Sequence, residues 1–525
     1  MSNHRRHRAF ILWAIVALLW ANLPYLVGYA ASTPENQFGG FFLYEQDGYS
    51  YLAKMRQGAQ GAWEFHLPYT SEDEYQSGGF VYPFYLALGK LAPLGLTYSL
   101  LYHGARLLSS LLLLIVLAKF IARFISDRRW QVWTWWLLLF SGGWGLSIST
   151  FVNPHYVAYE LIAPDAFVFS ILYGTPHVIL GFALFLIWIG YMLDTLKPDA
   201  TYLMRRVIIA NVLGLLTALS REAYGPAFAG IFGAYLIALI IQRRMIPWRE
   251  GVLIALSCIG AGLYGAYLIY VFRSSPGLAA WSAQNAFTSP DLFDFLAGFA
   301  LLIVLAVIGL WLYFKRPQPD RSIAPSRYLS FLSAWLIASP IMAYLPLAIS
   351  RRLIVGWQIP LGIFGAYALL RLIDSKLPLR RTLAIGVLAT SALSTLLVIT
   401  GGTMFVAARK PSLYQTANQL AALDWLRRSS TDRDVVLADW HFGNLVPIYA
   451  DARVFVGHPI ETISFNEKTA LADRFFDPTS TEADRQALID REKITLIVSP
   501  TDRLKLPDRS PVFQQGDLAI YRVAP

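Results

Sequence analysis

The sequence predicts a polytopic α-helical membrane protein with a small α/β domain at its C-terminal end. Three observations lead to this fold class. Of the 525 residues, 56% are hydrophobic and only 15% are charged, whereas soluble domains are about one-quarter charged. Apolar runs of the length that spans a bilayer recur as far as residue 405. From Lys410 onward, charged residues become more frequent and the apolar runs become shorter.

The apolar runs are interpreted as about eleven transmembrane helices. They lie at roughly 9–29, 97–124, 131–150, 168–193, 206–220, 223–242, 251–272, 293–314, 328–349, 353–373 and 382–405. The first run follows Arg5, Arg6 and Arg8, as in a signal peptide, but it is long enough to span a membrane and lacks a small-residue cleavage pattern. We therefore expect it to stay as the first helix.

The loops between these segments predict the orientation. If the N-terminus is cytoplasmic, the cytoplasmic connections are all rich in Lys or Arg, as the positive-inside rule requires; they are 123–129, 197–206, 243–249, 315–327 and 374–381. The opposite loops, 31–96, 151–167 and 273–292, are longer and more aromatic. This distribution accounts for the net charge of +10 without a nucleic-acid partner. An odd number of spans places the C-terminal domain on the opposite side of the membrane from the N-terminus, and therefore outside the cytoplasm. The expected location is a bacterial-type cell membrane.

The first outer loop, 31–96, opens with an acidic motif, Tyr44-Glu45-Gln46-Asp47-Gly48-Tyr49. Two carboxylates two residues apart beside a membrane surface are candidates for a general base. An amphipathic stretch, 49–58, follows and is expected to lie on the membrane surface. The acidic patch at 72–74 is interpreted as a solvated turn.

The second outer loop supplies further candidates for substrate contacts. His155, Glu160 and Asp165 lie in or beside it, and His177 stands just inside the next apolar run. A histidine at such a boundary is more often a hydrogen-bonded packing residue than a catalytic one.

Two charged pairs interrupt apolar stretches. Arg221-Glu222 is either a substrate contact or a self-neutralising pair in a short turn. Arg351-Arg352 lies in a tight outer connection, against the positive-inside trend, and a charge at membrane depth is costly unless it is paired or solvated. Because guanidinium groups bind phosphate through forked hydrogen bonds, a phosphate is one candidate partner. An outer-loop carboxylate is the alternative.

The C-terminal segment, 409–525, is predicted to form a separate domain after a membrane domain at 1–408. Helices are expected at 415–428, 462–476 and 481–492, and strands at 435–438, 453–456, 495–498 and 518–523. No Gly-x-Gly-x-x-Gly motif follows the first of these strands, so the domain is not interpreted as a dinucleotide binder.

Several kinds of chemistry have no motif in the sequence. It contains no His-Glu-x-x-His, no paired cysteines, since Cys258 is the single cysteine, and no P-loop. No Gly-x-Ser-x-Gly appears in a strand–turn–helix context. A required metal is therefore not indicated. The remaining features are an acidic outer motif and arginines expected at the same membrane face, which suit proton transfer and stabilisation of a phosphate leaving group.

These features resemble the GT-C superfamily of membrane glycosyltransferases. The chain is similar to the group of protein mannosyltransferases that use dolichyl-phosphate mannose, to aminoarabinose transferases and to bacterial RgtA/B/C/D-like proteins. The resemblance rests on the first helix with the acidic motif after it, the stretch Tyr51-Leu52-Ala53 with Gly58, and the Arg351-Arg352 turn before Trp357-Gln358-Ile359-Pro360. Many relatives have adjacent acidic residues, whereas Gln46 separates Glu45 from Asp47 here.

The resemblance implies an inverting transfer of one sugar from a polyprenyl-phosphate donor to an extracytoplasmic lipid, glycan or protein. Asp47 would be the base, with Glu45 as the other candidate, and Arg351 and Arg352 would hold the donor phosphate. The resemblance makes Glu45, Glu160, Asp165, Arg221 and Glu222 candidates for contacts with sugar or acceptor. In the C-terminal domain, the polar candidates for acceptor binding are His441, Asn444, His458 and Glu461.

Two other interpretations stay open at this point. A transporter or flippase of a lipid-linked sugar predicts functional charges near the bilayer midplane, whereas the charges here gather at the outer face. A membrane scaffold that displays the C-terminal domain gives no reason for two arginines in an outer turn.

Overall fold

The computed structural model describes residues 3–76, 78–315, 326–504 and 509–523. Up to residue 407 the described chain is mainly helical. The α-helices there are α1 Asn3–Ala30, α2 Glu45–Ala59, α3 Pro83–Gly89, α4 Tyr98–Phe124, α5 Arg128–Phe140, α6 Gly145–Phe151, α7 Tyr159–Ile162, α8 Val168–Tyr173, α9 Pro176–Thr195, α10 Leu203–Ser220, α11 Tyr224–Arg243, α12 Trp248–Ser257, α13 Ile259–Ser274, α14 Pro276–Gln284, α15 Leu292–Phe314, α16 Ser326–Ala343, α17 Gln358–Ile373, α18 Pro378–Ser391 and α19 Leu393–Ala407. Short 3₁₀ helices occur at Asp73–Tyr75, Ala92–Leu94, Pro164–Ala166 and Ser350–Ile354.

Every predicted apolar segment contains helix, but not all are single spans. Among the described residues, eight helical segments are long and apolar enough to cross a membrane, and the bent pair α12–α13 gives a ninth. The segment predicted at 131–150 divides into α5 and α6 because the Gly142-Gly143 turn interrupts it. A side chain at Gly143 would meet the carbonyl oxygen of Gly298 at 1.9 Å, so this close approach requires glycine. The segment at 328–349 ends early, at Ala343.

The predicted cytoplasmic connection at 315–327 lies mostly outside the described residues.

Proline also determines where a helix begins. The expected segment 168–193 is broken before Pro176, which occupies the first position of α9, since the residue before a proline disfavours helical geometry. The described residues therefore contain fewer single spans than the predicted eleven, because glycine or proline breaks the helix within some apolar runs.

Contacts divide the chain into two compact units. The helical unit comprises Met1–Leu23, Ala105–Ala266 and Phe287–Gly402. The α/β unit comprises Pro24–Gly104, Tyr267–Ala286 and Thr403–Pro525. The α/β unit thus joins a segment near the beginning of the chain to its end.

The α/β unit contains two sheets and four further helices. Its strands are β1 Asn36–Phe38, β2 Tyr414–Thr416, β3 Val435–Leu437, β4 Arg453–Val454, β5 Leu496–Pro500, β6 Phe513–Gln515 and β7 Leu518–Arg522. Its C-terminal helices are α20 Ala417–Ser429, α21 Trp440–Tyr449, α22 Phe465–Phe476 and α23 Glu482–Glu492. β1 and β2 pair antiparallel, with Gln37 opposite Gln415.

The larger sheet has the order β4-β3-β5-β7-β6. β3 is parallel to both β4 and β5, whereas β7 is antiparallel to β5 and β6. The strands predicted at 435–438, 453–456, 495–498 and 518–523 correspond to β3, β4, β5 and β7. The predictions missed β1, β2, β6 and α21, which are short or lack a regular apolar period.

Alternating residues of this sheet face two separate cores, because successive side chains in a strand point to opposite faces. Val435, Leu437 and Ile497 belong to a core shared with α22 and α23. Val436, Leu496 and Val498 belong to the other core. That second core also contains Leu52, Ala53 and Met55 of α2, together with residues of α20 and α21. The sheet therefore supports α2, the helix that carries the acidic motif.

Candidate functional site

The acidic motif forms the first turn of α2 rather than a loop. Tyr44 has a left-handed backbone, with φ 53° and ψ 47°, and Glu45 is the first helical residue. The backbone N–H of Gly48 donates to the carbonyl oxygen of Tyr44 at 3.0 Å. Carboxylates are favourable in the first turn because the helix dipole is positive there. The expected amphipathic stretch from Tyr49 is thus the continuation of this helix.

Asp47 is held by a buried histidine. Nε2 of His458 lies 3.2 Å from Oδ1 of Asp47. Nδ1 of His458 accepts the backbone N–H groups of Ile460 and Glu461, both at 3.1 Å. Because Nδ1 is an acceptor, the neutral ring carries its proton on Nε2, and this N–H donates a hydrogen bond to Asp47. The His458 side chain is 2% exposed and that of Asp47 is 38% exposed, so the carboxylate is oriented but still reachable.

A buried ion pair lies along the same face of α2. Nζ of Lys54 is 2.6 Å from Oε1 of Glu461, and both residues are buried. Ser50 donates its hydroxyl to the same carboxylate oxygen at 2.5 Å and accepts a hydrogen bond from Lys54. The Lys54 ammonium also lies 4.5 Å from the centre of the Tyr82 ring. Burial alone would raise the pKa of Glu461, but the charge of Lys54 and the hydrogen bonds from Lys54 and Ser50 outweigh it and hold that pKa below its usual value.

Sequence analysis missed Lys54 and Ser50, although a signal was present. Positions 47, 50 and 54 are spaced three and four residues apart, which places them on one side of a helix. Two of the polar candidates, His458 and Glu461, come from the loop before α22 and contact that side.

Glu45 faces different surroundings from Asp47. Residues two apart in a helix are separated by about 200° around its axis, and Glu45 borders a cleft of about 270 Å³ that Asp47 does not line. The polar candidates His441 and Asn444 on α21 line this cleft too. Burial is the main cause that raises the pKa of Glu45 above its usual value, and the charge of Asp47 raises it further. The two carboxylates of the motif are therefore not interchangeable.

The acidic patch after the motif is paired rather than simply solvated. Glu72 forms an ion pair with Lys468 at 2.7 Å. Asp73 contacts Arg453 at 2.9 Å and Lys493 at 2.8 Å. The expectation of a solvated turn is correct for the exposed Asp73 side chain but wrong for Glu72, whose partner is buried.

In the helical unit, the charged pair Arg221-Glu222 does not neutralise itself. Arg221 donates to Oδ2 of Asp165 from Nη2 at 2.7 Å and from Nε at 3.2 Å. Glu222 instead accepts a hydrogen bond from Nη1 of Arg352 at 2.6 Å. The self-neutralising interpretation is therefore wrong, because adjacent residues at the end of α10 project toward different elements.

The Arg351-Arg352 pair lies in the 3₁₀ helix Ser350–Ile354. Both guanidinium groups approach the ring of Phe287, at 4.0 Å for Arg352 and 5.5 Å for Arg351. The pairing of Arg352 with Glu222 agrees with the carboxylate alternative. Glu222 is bound through one guanidinium nitrogen, and a guanidinium has five N–H donors.

The remaining candidates of the helical unit are dispersed. Glu160 is 5% exposed, and its Oε1 accepts from the Ser394 hydroxyl at 3.1 Å. Burial is the main cause that raises the pKa of Glu160, although backbone hydrogen bonds oppose it. His177 is buried in the first turn of α9. His155 is exposed, and its backbone N–H donates to Asn153. Within the described residues, no group of three or more His, Cys, Asp or Glu side chains is arranged to hold a metal.

Known structures share this architecture at low sequence identity. ArnT from Cupriavidus metallidurans in the apo state aligns with a TM-score of 0.51 and 14% identity over 97% of each chain. The same protein bound to undecaprenyl phosphate gives 0.52 and 14% over the same coverage. An Archaeoglobus fulgidus oligosaccharyltransferase tethered with an acceptor peptide gives 0.53 and 14%, over 94% of this chain and 69% of that chain.

The chain has the GT-C fold. No protein-family profile and no curated protein sequence matches it. The fold class predicted from the sequence is confirmed, as is the resemblance to the GT-C superfamily. With this fold and its apolar helices, the chain is a multi-pass integral membrane protein.

Proposed function

We propose that the protein is a glycosyltransferase that moves a sugar from a polyprenyl-phosphate donor to an extracytoplasmic acceptor. The GT-C fold supports this class of reaction, since ArnT with the same fold has been captured with undecaprenyl phosphate. The observation that carries the proposal is the Asp47–His458 contact. Nε2 of His458 lies 3.2 Å from one carboxylate oxygen of Asp47 and orients this partly exposed side chain, which is in the first turn of α2.

In the proposed reaction, Asp47 is the general base. It takes the proton of the acceptor hydroxyl as that oxygen attacks the anomeric carbon of the donor. The bond from that carbon to the phosphate oxygen breaks, and the lipid phosphate leaves from the opposite face, so the configuration inverts. His458 donates to Asp47 and keeps its lone pairs oriented. No step requires a metal, so activity is expected to survive chelation.

Arg351 and Arg352 are proposed to bind the donor phosphate. Glu222 engages Nη1 of Arg352, and the other N–H donors of the guanidinium group can bind a phosphate oxygen. Stabilising the departing phosphate is electrostatic catalysis. Glu160, Asp165 and Arg221 are proposed to shape the surroundings of donor or acceptor, and the N-terminus is proposed to be cytoplasmic.

The base is tested by Asp47→Asn in a reconstituted assay with polyprenyl-phosphate sugars. Because a general base contributes roughly 100- to 10,000-fold, transfer should fall by about that factor while the unfolding temperature stays unchanged. Glu45→Gln, in the same helical turn, tests the other candidate carboxylate and should keep kcat at saturating acceptor, because Glu45 lines the neighbouring cleft and does not contact His458. Full transfer by Asp47→Asn would remove the assignment.

The phosphate site is tested by Arg351→Ala and Arg351→Lys in the same assay. Loss of a charge-assisted hydrogen bond costs roughly 1.5–3 kcal/mol, so the KM for the lipid donor should rise by at least about tenfold in Arg351→Ala. Arg351→Lys keeps the charge and should lie between this variant and the wild type. An unchanged donor KM in both variants would exclude the phosphate role.

A further inference from the structure

The cleft beside Glu45 has the features of a built binding site. It has a volume of about 270 Å³ and lies wholly within the α/β unit. Its walls come from the first turn of α2, from the segment around β2, and from the start of α21. The volume falls just below the roughly 300–1,000 Å³ typical of pockets for drug-sized ligands. A group of about the size of a sugar ring is therefore a suitable occupant.

One buried atom in this cleft has an unmet hydrogen-bonding need. Asn444 is 2% exposed, and its Nδ2 donates weakly to the carbonyl oxygen of Gln46 at 3.4 Å. Its Oδ1 has no donor within the described structure. A buried acceptor without a donor costs roughly 1–3 kcal/mol. A ligand hydroxyl or N–H that reaches Oδ1 from the cleft would remove this cost.

The chemistry of the walls selects the class of ligand. Gln46, Gln415, Gln419 and Asn444 contribute amides, which both donate and accept, as the hydroxyl groups of a sugar do. Trp440 adds an aromatic ring. The cleft also has two carboxylates, Glu45 and Asp439, and none of its lining residues is Lys or Arg, so it is not built for a phosphate or another anion. Asp439 already accepts the backbone N–H groups of His441 and Phe442.

We infer that this cleft is a subsite for a neutral oligosaccharide, and therefore that the acceptor is a glycan. The inference rests on the proposed glycosyl transfer. The cleft and Asp47 lie on different sides of the first turn of α2. Because a helix with its side chains is about 10–12 Å wide, a ligand that contacts both must be longer than one sugar ring. The cleft would bind a sugar remote from the reacting hydroxyl.

The test measures binding directly, without turnover. The full-length protein in lipid nanodiscs is titrated with maltotetraose, cellotetraose and tetra-N-acetylchitotetraose, which are all neutral, and binding is followed by saturation-transfer NMR. At least one tetrasaccharide should bind, and more tightly than its disaccharide. Asn444→Leu, which keeps the side-chain shape, should weaken binding by about fivefold or more, as expected for loss of a neutral hydrogen bond. Asn418→Leu is the matched control, because Asn418 contacts Asp517 and does not line the cleft.

A second variant guards against misfolding of Asn444→Leu. Ser412 is exposed at the rim of the cleft, so Ser412→Trp should fill the cleft, preserve the unfolding temperature and reduce binding. Failure of all three tetrasaccharides to bind, or equal binding by the wild type and both cleft variants, overturns the inference. Saturable binding of a serine-containing peptide instead overturns it as well.

Failure of the cleft and failure of the proposed function give different results. If the protein transfers sugar from a lipid donor but Ser412→Trp leaves the acceptor KM unchanged, the cleft assignment is wrong and the enzyme assignment stands. If tetrasaccharides bind in the cleft but no lipid donor is consumed, the transferase proposal fails and the binding site stands.

Discussion

Replacing Glu461 with Gln should strongly destabilise the α/β unit, because it leaves Lys54 buried without a counter-charge. The two charges are 2.6 Å apart, and their side chains are 1% and 6% exposed. At an effective dielectric constant of about 20, their attraction is about 6 kcal/mol, and the cost of removing both charges from water offsets part of it. Breaking one partner of such a pair typically costs about 3–5 kcal/mol.

The assay is thermal unfolding of the purified full-length protein. For a unit of this size, each kcal/mol shifts Tm by roughly 2–4 °C, so Glu461→Gln should lower Tm by about 10 °C. The paired replacement Lys54→Met with Glu461→Leu removes both charges and should recover most of the loss. Recovery would show that the unpaired charge, rather than the loss of the hydrogen bonds that Glu461 accepts, causes the destabilisation.

Arg56 provides the matched control on the same helix. It pairs with Asp451 at the same distance of 2.6 Å, but the Asp451 side chain is 46% exposed. A pair that is accessible to solvent is typically worth less than about 1 kcal/mol, so Arg56→Ala should lower Tm by only a few degrees. If Glu461→Gln and Arg56→Ala have equal effects, the reasoning from burial is refuted.

Two further predictions concern the two faces of the acidic motif. In His458→Asn the shorter side chain can still accept the backbone N–H groups but cannot reach Asp47, so kcat should fall about tenfold or more with an unchanged donor KM. In His458→Gln the longer side chain extends a donor to Asp47 and should recover part of the lost kcat. Equal kcat values in both variants would contradict the positioning role. Because burial raises the folded-state pKa of Glu45, the folded state binds its proton more tightly, and the wild type loses stability as pH rises through that pKa. Glu45→Gln should therefore have the higher Tm at neutral pH and an equal Tm below the usual glutamate pKa; a constant difference across pH would exclude the shift.

Composition and periodicity were sufficient to predict the general architecture. Within a bilayer, the backbone N–H and C=O groups of an apolar segment must be hydrogen-bonded inside that segment, as they are in a helix. The spans were therefore predictable wherever no glycine or proline interrupts the apolar run. At Gly142-Gly143 the helix breaks because two backbones approach closely, and that approach involves residues distant in sequence. The strands β3, β5 and β7 are short apolar runs and were also predictable, whereas β1 and β2 form only because they pair with each other.

The candidate site was predictable only in part. The acidic motif was apparent because carboxylates, aromatics and an apolar run occur together. The contact of Asp47 with His458 joins positions 411 residues apart, and no local pattern indicates which histidine would reach it. The roles of Asp47, Arg351 and Arg352 stay predictions until the variants are measured.

The shared core of α2 and the C-terminal sheet also determines when the acidic motif can become ordered during synthesis. The helix that carries Asp47 emerges early from the ribosome, but Val436, Leu496 and Val498 of the same core are made much later. Until then, Leu52 and Met55 have no apolar partners from the sheet, and Asp47 has no His458. A chain that is truncated or cleaved before β3 would keep its membrane helices and yet lack an ordered acidic motif. If C-terminal proteolysis abolishes activity, the cause would thus be the loss of order around Asp47, a residue near the beginning of the chain.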